Sequence, residues 1–80
     1  MDRLEKLLDR ARRSSSGLSF PDFEALMKHA GWSFKRRKGS HRLWCSPSAY
    51  RLPVQSVRGR AKEYQVRQFL AQYDKEYRNG

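Results

Sequence analysis

The sequence predicts an α+β domain in which a three-stranded antiparallel sheet carries two helices on one face, preceded by an extra N-terminal helix. Three observations lead there. Apolar residues recur at i, i+3, i+4 and i+7 in segments near both ends of the chain. Between residues 32 and 55 the period shortens to alternation, the mark of strands. A chain of 80 residues buries only about 60% of the surface its unfolded form exposes. It therefore holds one modest core and has no room for a separate cofactor domain.

The first element spans residues 2–13, where Leu4, Leu7, Leu8 and Ala11 form one stripe. Asp2 with Lys6 and Asp9 with Arg13 are i,i+4 pairs that add only a few tenths of a kcal/mol each. So short a helix is marginal alone and must dock or fray. Ser14 to Gly17 then form a Ser/Gly joint, dividing an N-terminal unit (1–17) from the main domain (18–80). In the second helix Ser19 is the expected N-cap, with Asp22 three residues on and Pro21 in the first turn. Phe20, Phe23, Met27 and Ala30 make its stripe, with Leu26 beside it. Gly31 is the expected left-handed stop, and His29 is a last-turn residue favoured by the helix dipole.

Three strands are expected next, separated by Lys38-Gly39-Ser40 and Ser46-Pro47-Ser48-Ala49. Trp32, Phe34 and Leu43 are assigned to the core, and Cys45 is read as a small buried hydrophobe. Trp44 is assigned with Arg42 to the outer face, where an exposed indole would stack a base or pack on a partner. Pro53 argues that the third strand is an edge, or that its N–H side is unpaired there. A basic, Gly-containing loop (Ser56 to Lys62) leads to a last helix from near Glu63. Its stripe is Val66, Phe69, Leu70, Tyr73 and Tyr77, and Asn79-Gly80 close it.

The formal net charge is +10, and its distribution matters more than its size. No acidic residue lies between Glu24 and Glu63, a stretch that holds ten basic ones. Elsewhere eight acids face eight bases, so the middle of the chain carries the whole excess. A one-sign surface of this kind concentrates polyanions and points to nucleic acid. No apolar run approaches the roughly 18 residues of a membrane span, and the N-terminus lacks the apolar core of a signal peptide. A single cysteine makes neither an internal disulfide nor a zinc site. These features fit a reducing cytoplasm, with no membrane association and no cofactor.

Conventional catalytic constellations are absent: there is no Walker-type loop, no metal-spaced His/Cys/Asp cluster and no carboxylate pair in the basic region. The acid-free middle argues against a magnesium-dependent nuclease, because hard cations need carboxylate oxygens. RNA can be cleaved without metal, since its 2′-hydroxyl is a built-in nucleophile that needs only proton transfer and charge stabilisation. Imidazole exchanges protons near neutral pH. His41, in "FKRRKGSHRLW" and flanked by Lys38, Ser40 and Arg42, is the candidate. The competing reading is a strand histidine that binds phosphate or caps a turn. Strand parity places His41 on the face of Leu43 and Cys45, the expected core side, so it would have to sit at the strand's open end. Tyr50 and Tyr64 are lesser candidates for proton donation or phosphate binding.

From about Leu18 to Tyr73 the chain resembles the HicA family, the toxin half of bacterial HicAB toxin–antitoxin systems. The matching features are a helix ending in "HAGW", the basic strand "FKRRKGSHRLW", the third strand "YRLPV" and a Gly-containing basic loop before the last helix. The core signature is Gly39-Ser40-His41 preceded by a base. The resemblance implies a double-stranded-RNA-binding-domain-like α-β-β-β-α fold and ribosome-independent cleavage of mRNA. It places the catalytic histidine at His41 and implies a HicB-like antitoxin that covers it. The expected RNA contacts are Lys35, Arg37, Lys38, Gly39, Ser40, Arg42, Arg58 and Arg60, with no metal ligand. Two other readings remain: a non-catalytic RNA-binding module of the same fold, and an interaction protein whose basic face meets an acidic partner.

Overall fold

The computed structural model describes residues 2–79. Helices α1 (Arg3–Arg13) and α2 (Phe20–His29) precede strands β1 (Ser33–Lys38), β2 (His41–Cys45), β3 (Arg51–Val57) and β4 (Arg60–Ala61), and α3 (Glu63–Asn79) follows. The expected α-β-β-β-α layout with an added N-terminal helix is present. The sheet has four strands rather than three, all antiparallel, in the order β1-β2-β3-β4. The fourth arises because Arg58 and Gly59 both take positive φ (55° and 80°). That is the backbone of a two-residue mirror-type turn, which folds the basic loop into a hairpin. Arginine at the first position of such a turn gives no sequence signal, whereas asparagine would.

The helix ends form as their residues dictate. Asp2 accepts the Glu5 N–H at 2.8 Å to cap α1, and Ser19 accepts the Asp22 N–H at 3.2 Å to cap α2. At the far end of α2, Gly31 (φ 89°) allows two closing bonds. Its own N–H reaches the Lys28 carbonyl, and the Trp32 N–H reaches Met27. This is the Schellman arrangement. Helix α1 docks rather than frays, burying Leu7 and Ala11 in the common core with Leu4 and Leu8 packed at its rim. Arg10 pairs with Asp22 on α2 and Arg12 makes two bonds to Asp74 on α3. These partly exposed pairs contribute at most about 1 kcal/mol each, so apolar burial does most of the holding.

One cluster forms the core, with Phe23, Leu26, Met27, Val66 and Phe69 from the helices against Trp44, Leu52 and Val54 from the sheet. Trp32 is buried as expected, its ring 5.0 Å from Phe69. The expected phase of β2 is reversed. Trp44 pairs with Leu52 and Arg42 with Val54, so buried β3 fixes which β2 residues face the helices. Trp44 is therefore buried, while Leu43 lies on the outer face and is only half-buried. Phe34 faces the helix side but is 41% exposed, because β1 lies beyond their cover. Cys45 is buried, although outside the main cluster.

Pro53 sits in an internal strand, yet its missing N–H costs no ladder bond. Gln55, two residues on, turns its N–H away from β2 toward Gln65, and Pro53 shares that orientation. Strand β4 reaches only Ser56 and Val57, so it stops short of Pro53. At the end of α3 the stripe outruns the sheet. Tyr77 is 75% exposed instead of buried, stacked on Tyr73 with ring centroids 5.6 Å apart. The expected stop at Gly80 lies outside the described residues. Among the described residues no helix is long and apolar enough to cross a membrane.

Candidate nucleic-acid interface

The β1–β2 hairpin is closed by Gly39-Ser40, with Gly39 at φ 61° and Ser40 outside the positive region. Positive φ at the first turn position alone is the pattern of a II′ turn, which favours glycine there. A Cβ on Gly39 would meet nothing within 4 Å, so backbone conformation, and not space, calls for the glycine. The tight turn makes Lys38 and His41 direct cross-strand partners. Both then lie on the outer face, away from the helices.

His41 is exposed at the start of β2. It borders a recess of about 370 Å³ with Arg36, Lys38, Leu43 and Pro53. Leu43 and Pro53 give the recess an apolar floor, and the imidazole and two cations form its rim. A volume at the low end of small-ligand sites suits one nucleotide unit. The parity concern about His41 is resolved by the reversed phase: its face is the open one.

Hydrogen bonds hold the turn in place. Gln55, the cross-strand partner of His41, donates from Nε2 to Ser40 Oγ at 3.2 Å. Its backbone N–H donates to Gln65 Oε1 at 3.0 Å. Gln65, only 3% exposed on α3, donates in turn to Tyr64 Oη at 3.4 Å. A buried amide must be satisfied, and here the bonds run from helix to turn.

The expected contact residues fall in three places. Strand β2 begins where β3 ends, so the Gly39-Ser40 and Arg58-Gly59 turns share one end of the sheet. Lys38, Gly39, Ser40, His41, Arg58 and Arg60 gather there, with Arg60 Nη2 also bonded to the Ser16 carbonyl at 3.1 Å. Lys35 is exposed at a bulge between Phe34 and Arg36. Arg37 and Arg42 pair with each other on the helix side. Arg42 donates from Nε to Glu24 Oε2, its guanidinium carbon lies 4.2 Å from the centre of the Phe34 ring, and Trp44 Nε1 donates to the same Glu24 oxygen at 3.0 Å. Its charge is thus engaged from within, and Trp44 is not available to stack a base.

Two neighbours of His41 were missed from the sequence. Arg36 follows from the two-residue turn, which pairs 38 with 41 and puts 36 on the same face. Gln55 depends on the β2–β3 register, which has no local signal. Tyr50 lies at the opposite end of the sheet from His41, beside Trp32, whereas Tyr64 is tied to the site through Gln65. Among the described residues no ion pair engages Lys35, Arg36, Arg37, Lys38, Arg58 or Arg60. Nor does any group of three His, Cys, Asp or Glu side chains gather to hold a metal ion.

Residues 20–74 match the model of a protein family described as the HicA toxin of bacterial toxin–antitoxin systems. The chain belongs to the HicA toxin family. The HicA match runs from α2 into α3 and takes in the whole hairpin, while α1 precedes it. HicA membership makes the chain a toxin component and implies a cognate antitoxin as its partner. No curated protein and no solved structure shows a significant match.

Proposed function

We propose that this HicA-family toxin is a metal-independent, ribosome-independent endoribonuclease that cleaves mRNA, with His41 as general acid or base. The observation that carries the reading is the placement of His41, open to solvent in one recess with Arg36 and Lys38, neither of which is in an ion pair among the described residues. In the reaction the 2′-oxygen bonds to phosphorus as its proton leaves to a base. The bond from phosphorus to the 5′-oxygen breaks as that oxygen gains a proton. A 2′,3′-cyclic phosphate and a 5′-hydroxyl result. His41 carries one of these protons, and Arg36 and Lys38 stabilise the added charge on the phosphorane. Arg58 and Arg60 at the neighbouring turn and Lys35 on β1 add cationic surface, and Ser40 closes the turn that carries His41. A HicB-like antitoxin would silence the toxin by covering His41, and the setting is the cytoplasm.

The test is cleavage of single-stranded RNA in EDTA by the wild type and by His41→Ala, beside a 2′-deoxy substrate. The reading expects cleavage of the ribose substrate only, and a loss of at least about a hundredfold in His41→Ala. Equal binding without cleavage by both proteins would make the chain an RNA-binding module. Cleavage that survives His41→Ala would remove the role given to that residue.

A further inference from the structure

We propose that the recess bounded by Val57, Lys62 and Tyr64 is a base-stacking subsite for single-stranded RNA, a few nucleotides from the phosphate at His41. The inference rests on the RNA reading above and adds to it a second point of contact, where substrate preference is set.

The His41 recess lies on the outer face of β3, and the second recess lies past the end of that strand, where Val57 meets β4, Ser16 and the start of α3. Pro53, Gln55 and Val57 alternate onto that face. Pro53 floors the His41 recess, Gln55 is opposite His41, and Val57 lines the second recess with Arg60, Lys62 and Tyr64. At about 3.3–3.4 Å per residue, Pro53 and Val57 are about 13 Å apart, so one extended strand of RNA can follow β3 between them. Tyr64 is 56% exposed in the first turn of α3, and Lys62 Nζ lies 5.8 Å from the centre of its ring. Glu63, which also lines the recess, is engaged by Arg67. An exposed ring beside cations, over an apolar surface, is the combination that binds unpaired bases. A duplex hides the faces of its bases and cannot use it. The start of α3 is also tied to the turn before His41, because Gln65 binds the Gln55 N–H and Gln55 binds Ser40.

The test measures binding of a dinucleotide and a decanucleotide, both 2′-O-methylated so that the nucleophile is blocked, by fluorescence anisotropy with thermal melts as the folding control. Tyr64→Ala should weaken the decanucleotide by between about fivefold and about a hundredfold, leave the dinucleotide unchanged and leave duplex RNA unchanged. Tyr64→Phe should keep decanucleotide affinity. Equal binding by wild type and Tyr64→Ala would overturn the proposal, as would a Tyr64→Phe loss as large as that of Tyr64→Ala, which would assign the effect to the hydroxyl. If Tyr64→Ala weakens only the cognate antitoxin, the recess is a protein interface and the proposal is wrong. Wild type that shows the expected Tyr64 dependence without cleaving unmethylated RNA would support the subsite and defeat the catalytic reading. Wild type that binds no RNA would defeat both.

Discussion

His41 and Arg42 are neighbours in sequence whose side chains leave β2 on opposite faces of the sheet. The imidazole enters the open recess with Arg36 and Lys38, and the guanidinium turns under the sheet to Glu24. One strand therefore separates a group available to a ligand from a group committed to the fold.

That separation predicts different outcomes for Arg42. Removing it takes the ion pair from Glu24, which is largely covered and keeps the Trp44 N–H, and uncovers Phe34. Arg42→Ala should lose about 1–2 kcal/mol, seen as a fall in Tm of several degrees for a domain of this size. RNA affinity at temperatures where the variant remains folded should stay near that of wild type.

Arg36 and Arg37 provide the matched comparison on β1. Arg36 lies on the same sheet face as His41 and Arg37 on the opposite one. In Arg36→Ala the slope of log affinity against log salt should shrink by about 0.7, one single-strand phosphate contact. Arg37→Ala should leave the slope as it was, and a larger effect at Arg37 would place the RNA on the other face.

The β2–β3 loop carries a strained residue with no functional claim on it. Ala49 holds φ 71° after a turn closed by its N–H to the Ser46 carbonyl at 2.9 Å. Left-handed backbone costs a non-glycine residue about 1–2 kcal/mol, partly offset by the greater freedom of glycine when unfolded. Ala49→Gly should thus gain about 0.5–1 kcal/mol, measurable by urea unfolding with an unchanged m-value.

The same loop sets a pH dependence through Glu76 on α3. Burial alone would raise this carboxyl, but hydrogen bonds from Ser46, Gln72 and Ser48 together outweigh it and hold it below its ordinary value. A folded value below the unfolded one means stability is full above the unfolded value, about 4.3. It is lost as pH falls through the folded value. Melting curves between neutral and acid pH should show a shallower acid decline in Glu76→Gln.

The helices and their caps were legible in the sequence because their signals are local. Ser19, Gly31 and the Leu7–Ala11 stripe each state their role within one or two turns. The hairpin at Gly39 was legible for the same reason. The facing of β2 was not, because HRLWC alternates bulky and charged residues either way. The choice is made by Leu52 and Val54 on the neighbouring strand. Trp44 shows the cost of judging by residue type: on one strand face with Arg42 it reads as exposed, yet Glu24 from α2 supplies the acceptor its indole needs when buried. For the candidate site, His41 and its turn were visible early, whereas Gln55 and Gln65 enter only through tertiary register.

Strand β1 has every residue exposed, so it adds charge to the surface and almost nothing to the interior. Most exposed substitutions change stability by less than about 0.5 kcal/mol. The four consecutive bases from Lys35 to Lys38 can therefore drift in sign and spacing with little penalty to folding. The surface charge of this strand is thus set apart from the buried helix–sheet packing that holds the domain together.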